Sequence, residues 1–487
     1  MTEATIAPPG AATINRRVVG TFLVTSVALF MTQLDNLVVT TALPAIRTSL
    51  GASLSSLEWT VNAYTLTFAV LLLTGAALGD RFGRRRLFLG GLALFTLASA
   101  AAALAPSSEW LVVARALQGA GAAVVVPLTL TLLSAAVPVE RRGMALGIWG
   151  AVAGLAIASG PLVGGAVVEG ASWHVIFWLN VPIGLILLPI ASRVLSESHG
   201  VSARLDFGGV LLASGGLLGV VLGLVRGNEL GWGSAGVVLP IAIGAVLLVG
   251  FVAWELRQDA PMLPMRLFRS RGFAATNLAS ALMLFGMFGS IFFLAQFFQT
   301  VQGYSPLGAG LRILPWTAMP VLIAPIAGIV SDRIGGRPIV AVGLALQAIG
   351  LGWIAAVSTP TVAYLTLVPA FVVSGIGMSL FFAPVANLVL GSVRREEEGI
   401  ASGATNAVRE LGGVFGVAVL ASVFSARGGY TSAQSFVDGL RPAVFVGAVV
   451  VGLAALVILA VPRRTAAPTT ELEPEREIEP EPVLAAA

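Results

Sequence analysis

The chain has 487 residues, of which 57% are hydrophobic and only 11% charged. A water-soluble domain carries about 25% charged residues, so most of this surface faces something other than water. The net charge of +4 comes from scattered arginines without aromatic interleaving, there is no cysteine, and the two histidines, His174 and His199, lie in separate loops; a nucleic-acid surface, disulfides, a metal centre and Cys/His nucleophiles are thereby excluded.

Apolar runs near the roughly 20-residue length of a bilayer crossing follow one another along the chain. They are expected at about 18–42, 57–79, 87–105, 110–134, 143–168, 174–192, 207–225, 235–254, 272–298, 308–330, 338–357, 362–390, 399–424 and 442–461. This is an all-α integral membrane protein of about fourteen spans. The first 15 residues lack the charged and short apolar regions of a cleavable signal, so the first helix is expected to remain as an anchor. Arginine placement tests the count. With the N-terminus inside, Arg47, Arg226, Arg312, Arg427 and Arg441 fall in outer loops, Arg115 and Arg409 fall within spans, and all other arginines lie inside. That bias puts both termini in the cytoplasm. The Glu- and Pro-rich tail, 464–487, cannot bury a core and is expected to be disordered.

Motifs mark the spans in order. The first contains Leu34-Asp35-Asn36 and ends Ala42-Leu43-Pro44. After the second comes Asp80-Arg81-Phe82-Gly83-Arg84, and after the tenth Asp332-Arg333-Ile334-Gly335-Gly336-Arg337. Gly83 and Gly335 suit tight turns, and each Asp could cap a helix or pair with Arg across an interface. The fourth span holds Arg115-Ala116-Leu117-Gln118-Gly119, and the fifth Gly160-Pro161-Leu162-Val163-Gly164-Gly165. Pro161 removes a helix hydrogen bond, while the glycines permit close packing, as a hinge or seal between halves or as small-residue contact. The loop into the sixth span runs from Trp173 to Pro182, and the thirteenth span contains Asn406-Ala407-Val408-Arg409-Glu410 before Gly412 and Gly413. Trp110, Trp173, Trp232 and Trp316 read as an interfacial belt, and Glu58 beside Trp59 as an interfacial residue at the outer mouth.

In these motifs the sequence resembles the major facilitator superfamily, in particular its fourteen-span drug:H⁺ antiporter branch. It departs from the pattern at Ala76, Ala156, His174 and Glu410. The resemblance implies a six, two, six division: a segment at 1–17, a six-helix bundle at 18–195, a two-helix insert at 196–260 and a second bundle at 261–463. It also implies a central cavity between the bundles, the loops around Asp80 and Asp332 as conformational latches, and the Gly160–Gly165 element as typical of antiporters.

Asp35 and Glu410 are the two acids well inside expected spans. A buried carboxylate there is expensive and marks a proton or cation site by default. Two roles fit Asp35: a proton carrier tuned by Arg115, or a structural partner of that arginine. Glu410 could likewise carry protons, or be neutralised by Arg409. Phe292 and Phe293 are candidate cavity aromatics or lipid-facing residues. The expected function is proton-coupled efflux of hydrophobic or cationic drugs, or of a related natural product, by a monomer in the inner membrane. It needs no metal or other cofactor and takes its energy from the proton gradient. The alternative, proton-coupled import or export of a polar metabolite, would need more buried hydrogen-bonding groups than the spans hold. An enzyme would need a catalytic cluster that the sequence does not contain.

Overall fold

Within a bilayer no water satisfies the peptide groups, so an apolar segment closes its hydrogen bonds internally and forms a helix. The structure, a computed structural model, describes residues 16–137, 139–199, 206–259, 261, 263–394 and 397–462. Among them are helices and no strand. The first half contains α1 (Arg16–Leu50), α2 (Leu54–Phe82), α3 (Arg84–Ala103), α4 (Ser108–Ala136), α5 (Val139–Gly170), α6 (Trp173–Trp178) and α7 (Asn180–Val194). Then come α8 (Phe207–Leu230) and α9 (Ala235–Glu255). The second half contains α10 (Arg271–Gln296), α11 (Pro306–Thr317), α12 (Met319–Ile334), α13 (Gly336–Val357), α14 (Tyr364–Leu390), α15 (Glu398–Arg427) and α16 (Ala433–Val457).

Each expected segment falls on one helix or on a consecutive pair. Thirteen such units among the described residues are long and apolar enough to cross a membrane. The 32-residue α5 covers the remaining expected segment. The acidic tail lies outside the described residues.

Local chemistry sets the helix ends. The side chains of Ser53, Ser107, Ser270, Ser305 and Ser432 each accept a hydrogen bond from a backbone N–H in the first turn of the helix that follows. The tenth segment breaks between α11 and α12, where Pro320 in the first turn of α12 has no N–H to continue the ladder. Gly83 and Gly335 have φ of 106° and 88° and join α2 to α3 and α12 to α13. That left-handed geometry is why the repeated loop carries glycine.

The packing also repeats. In the first half α4 lies against α2 and α3, α1 against α5 and α7, and α3 against α6 and α7. In the second, α14 lies against α11, α12 and α13, α10 against α15 and α16, and α13 against α16. Two helix pairs, α5 with α11 and α2 with α15, carry most of the contact between halves. The hairpin α8–α9 covers the second of these seams, with α8 touching both α2 and α15.

Two of the four belt tryptophans depart from expectation. Trp110 and Trp232 are exposed, whereas Trp173 and Trp316 are buried. Trp173 packs edge-on to Phe177, and Trp316 stacks on Phe371 of α14. Proximity to a helix end did not decide which way these rings face; the neighbouring helix did.

Candidate functional site

The Gly-rich face of α4 brings Arg115 to Asp35. A Cβ on Gly119 would lie 2.3 Å from the carbonyl oxygen of Tyr64, and one on Gly121 would lie 2.7 Å from the backbone N of Phe95. Only glycine lets α4 lie this close to α2 and α3. At that distance Arg115 Nε donates to the Thr60 carbonyl (3.1 Å), and Arg115 Nη1 donates to Asp35 Oδ2 and to Gln118 Oε1 (2.9 Å). Gln118 Nε2 donates to Asp35 Oδ1 (3.2 Å) and to Ser99 Oγ (2.7 Å). Asn180 Nδ2 completes the set by donating to Asp35 Oδ1 at 2.7 Å.

Asp35 therefore has donors from α4 and α7 on its two oxygens, and the Arg115–Asp35 pair is shut off from solvent at 0% and 2% side-chain exposure. The Arg115 guanidinium carbon lies 4.3 Å from the centre of the Tyr64 ring, a cation–π contact. Tyr64 in turn donates its hydroxyl proton to the Thr32 carbonyl (2.9 Å). Of this network the sequence reading singled out Asp35, Arg115 and Gln118. Asn180 sat in a quoted motif without a role, and Tyr64 and Thr60 had no signal beyond being polar residues in an apolar span.

Glu410 is on the other side of the α2–α15 seam. Its Oε2 has no hydrogen-bond partner among the described residues. It lies within electrostatic range of both Arg409 and Tyr64, and Tyr64 is within range of Asp35 as well. Arg409 turns away instead of pairing with Glu410: its Nη1 donates to Asn406 Oδ1 (3.4 Å) and its guanidinium sits 5.1 Å from the Phe382 ring of α14.

The fifth-span element lies between halves. A Cβ on Gly160 would meet Leu37 at 2.6 Å and one on Gly164 would meet Thr41 at 2.3 Å, both on α1. On the far face, a Cβ on Gly165 would lie 2.4 Å from the Pro306 carbonyl, and one on Gly310 would lie 2.2 Å from the Pro161 carbonyl. Gly160 and Gly164 thus bind α5 to its own half, and Gly165 with Pro161 binds it to α11. Nearby, Glu169 Oε2 accepts from the Leu307 N–H (3.1 Å), and Gln299 Nε2 donates to the Thr41 carbonyl (2.8 Å).

Three expectations are revised. Asp80 does not reach across an interface; it pairs with Arg84 of its own loop at 2.7 Å, because the Gly83 turn sets both on one side. What grips this loop is the segment after α7, where Glu197 Oε1 accepts from the Arg85 N–H (3.0 Å) and Ser198 O from the Arg84 N–H (2.9 Å). Arg81 lies over the Phe82 ring. In the second loop Arg333 is exposed, and the Asp332 side chain lies outside the described residues. Phe292 and Phe293 do not face lipid. Both are wholly buried, and Phe293 stacks on Phe424 of α15 at 4.6 Å. Glu58 is not exposed at the outer mouth either: it is 3% exposed.

Two repeated helix bundles meet along paired seams, with charges buried beside one of them, and the family profile and relatives that match this chain are those of membrane transporters. The chain belongs to the Major Facilitator Superfamily, whose family profile matches residues 25–417 and again 316–485. It is 42% identical over 404 residues to the cephamycin export protein CmcT of Amycolatopsis lactamdurans, covering 81% of this chain and 83% of that one. Over 427 residues it is 34% identical to the tetracenomycin C resistance and export protein of Streptomyces glaucescens (87% and 79% covered). The multidrug resistance protein Stp of Mycobacterium tuberculosis is 36% identical over 415 residues (85% and 77%). Among solved structures, an auto-inhibited POT family peptide transporter superposes with a TM-score of 0.66 at 16% identity, over 93% of this chain and 98% of that one. That likeness is one of fold.

Proposed function

We propose that this protein exports hydrophobic or cationic drug-like molecules, antibiotics or a related natural product in exchange for protons. The observation that carries this reading is the Asp35–Arg115 pair, a charge pair buried inside an apolar bundle where a neutral pair would cost less. Protonation of Asp35 removes the anion that holds Arg115 between α1 and α4, and so weakens one arrangement of the first bundle relative to another. Glu410, whose Oε2 has no hydrogen-bond partner among the described residues, is the second carboxylate for which a proton and a cationic cargo compete. The bundles at 18–195 and 261–463 rock about the α5–α11 and α2–α15 seams, and the cargo passes between them. No cofactor takes part. The proton gradient drives the cycle, and the membrane potential adds about 2.3 kcal/mol per charge per 100 mV.

The names of the export and resistance relatives support the cargo class. Arginine distribution supports an inner-membrane location with both termini in the cytoplasm. A monomer suffices, since one chain supplies both bundles and both acids. The test is efflux of ethidium, and of a neutral hydrophobic drug, from proteoliposomes under an imposed pH gradient. The expected result is proton-linked transport by the wild type, reduced to the level of protein-free vesicles by Asp35→Asn and clearly lowered by Glu410→Gln. Normal drug–proton exchange by both variants would overturn the mechanism.

A further inference from the structure

A third buried carboxylate stands apart from the network just described. Glu58, near the start of α2, is 3% exposed, and its Oε2 has no hydrogen-bond partner among the described residues. One helical turn on, Asn62 is wholly buried, and neither its Oδ1 nor its Nδ2 has a partner among the described residues. Two consecutive unsatisfied polar side chains on one helix face are rare in a folded protein, and each calls for an occupant or a function. A carboxylate enclosed within a span marks a place where a proton or cation can be held.

The row continues inward. Thr65 Oγ1 lies 3.5 Å from Oδ1 of Asn36, the neighbour of Asp35 on α1. Outward, three charged or titratable groups face this end of α2. Glu229, at the exposed end of α8, lies within electrostatic range of Glu58. Arg47, at the end of α1, lies over the Tyr430 ring at 3.6 Å, and Tyr430 is within electrostatic range of Glu58 as well. Tyr430 belongs to the loop between α15 and α16 and donates to Gln296 Oε1 of α10 at 2.5 Å. Burial pushes the Tyr430 phenol up, so the hydroxyl stays a donor. Arg47 and Tyr430 thus join the two halves beside Glu58.

We propose that Glu58 and Asn62 form the proton-uptake site on the outer side, with Glu229 of the α8–α9 hairpin as its collector at the surface. This rests on the exchange mechanism and orientation proposed above. A proton leaves hydronium or a buffer acid in the outer water for the Glu229 carboxylate. It then passes to Glu58, forming an O–H bond there while Glu229 returns to its anion. Asn62 lies one turn further along α2, and beyond it Thr65 meets Asn36 of α1. The hairpin thereby gains a task beyond covering a seam: it brings a carboxylate to the mouth of the path.

The test uses full-length protein in oriented proteoliposomes, with initial ethidium efflux rates measured against outer pH at fixed inner pH. In the wild type the rate rises as outer pH falls. Glu58→Gln loses that dependence, whereas Glu58→Asp keeps it with a displaced midpoint. Glu229→Gln, a surface change that cannot unfold the bundle, slows transport at low buffer concentration and recovers when a small mobile buffer is added. A Glu58→Gln profile that follows the wild type, a Glu58→Asp profile as flat as that of Glu58→Gln, or a Glu229→Gln rate indifferent to buffer would overturn the proposal. A wild type that ignores outer pH would instead overturn the proton-exchange reading beneath it.

Discussion

Asp35 and Glu410 are both carboxylates placed within apolar helices beside an arginine, yet the fold treats them in opposite ways. Asp35 receives donors from Arg115, Gln118 and Asn180, and its arginine is enclosed by Tyr64 and Phe177. Glu410 has an oxygen without any donor, and its adjacent arginine turns towards α14. Neighbours in sequence lie about 100° apart around a helix, so Arg409 cannot share a face with Glu410. Arg115 reaches Asp35 from another helix, where geometry allows convergence. An acid with a full set of donors is held in one state until a proton breaks the set. An acid without donors has no such set for a proton to break.

Four substitutions would break or sharpen this contrast, the largest effect first. Arg115→Met leaves Asp35 buried without its counter-charge and should destabilise the protein by about 3–5 kcal/mol, read as a lower thermal midpoint in detergent. Pairing it with Asp35→Leu should recover most of that loss, since an apolar pair of similar volume replaces the ion pair. No recovery would mean that the network, not the charge pair, holds α1 to α4. Tyr64→Phe removes the bond to the Thr32 carbonyl and should cost about 1 kcal/mol. It should also change the pH profile of transport, because Tyr64 lies within electrostatic range of both acids. An unchanged profile would sever that link. The smallest effect is expected for Glu410→Gln, which takes away no donor contact and should shift stability by less than about 1 kcal/mol while still lowering drug–proton exchange. A large drop in stability would show that Glu410 has a structural partner after all.

Much of the fold was legible in the sequence because the bilayer leaves few choices. Apolar runs of bilayer length must become helices, and the repeated Asp-Arg-x-Gly loops marked equivalent points in two halves. The positive φ at Gly83 and Gly335 is the physical content of that repeat. Charge in an apolar span was equally visible, so Asp35, Arg115 and Glu410 stood out. What those groups touch was not visible. Hydropathy records how apolar a helix is and says little about which side of it meets a neighbour. Trp173, Trp316 and Glu58 therefore read as interfacial, and Phe292 and Phe293 as cavity candidates, until packing placed them.

The sequence by itself determined the class of molecule, the succession of its helices, the inner and outer bias of its arginines and the rarity of its buried acids. These follow from composition and local spacing, which a chain carries before it folds. Only the tertiary structure decided that Asp35 is enclosed, that Glu410 lacks a donor and that Glu58 is buried beside an unsatisfied Asn62. Each of those facts depends on which helices converge at one place. Convergence is set by Gly119, Gly164, Gly165 and Gly310 allowing backbones to touch, a relation between residues far apart in the chain.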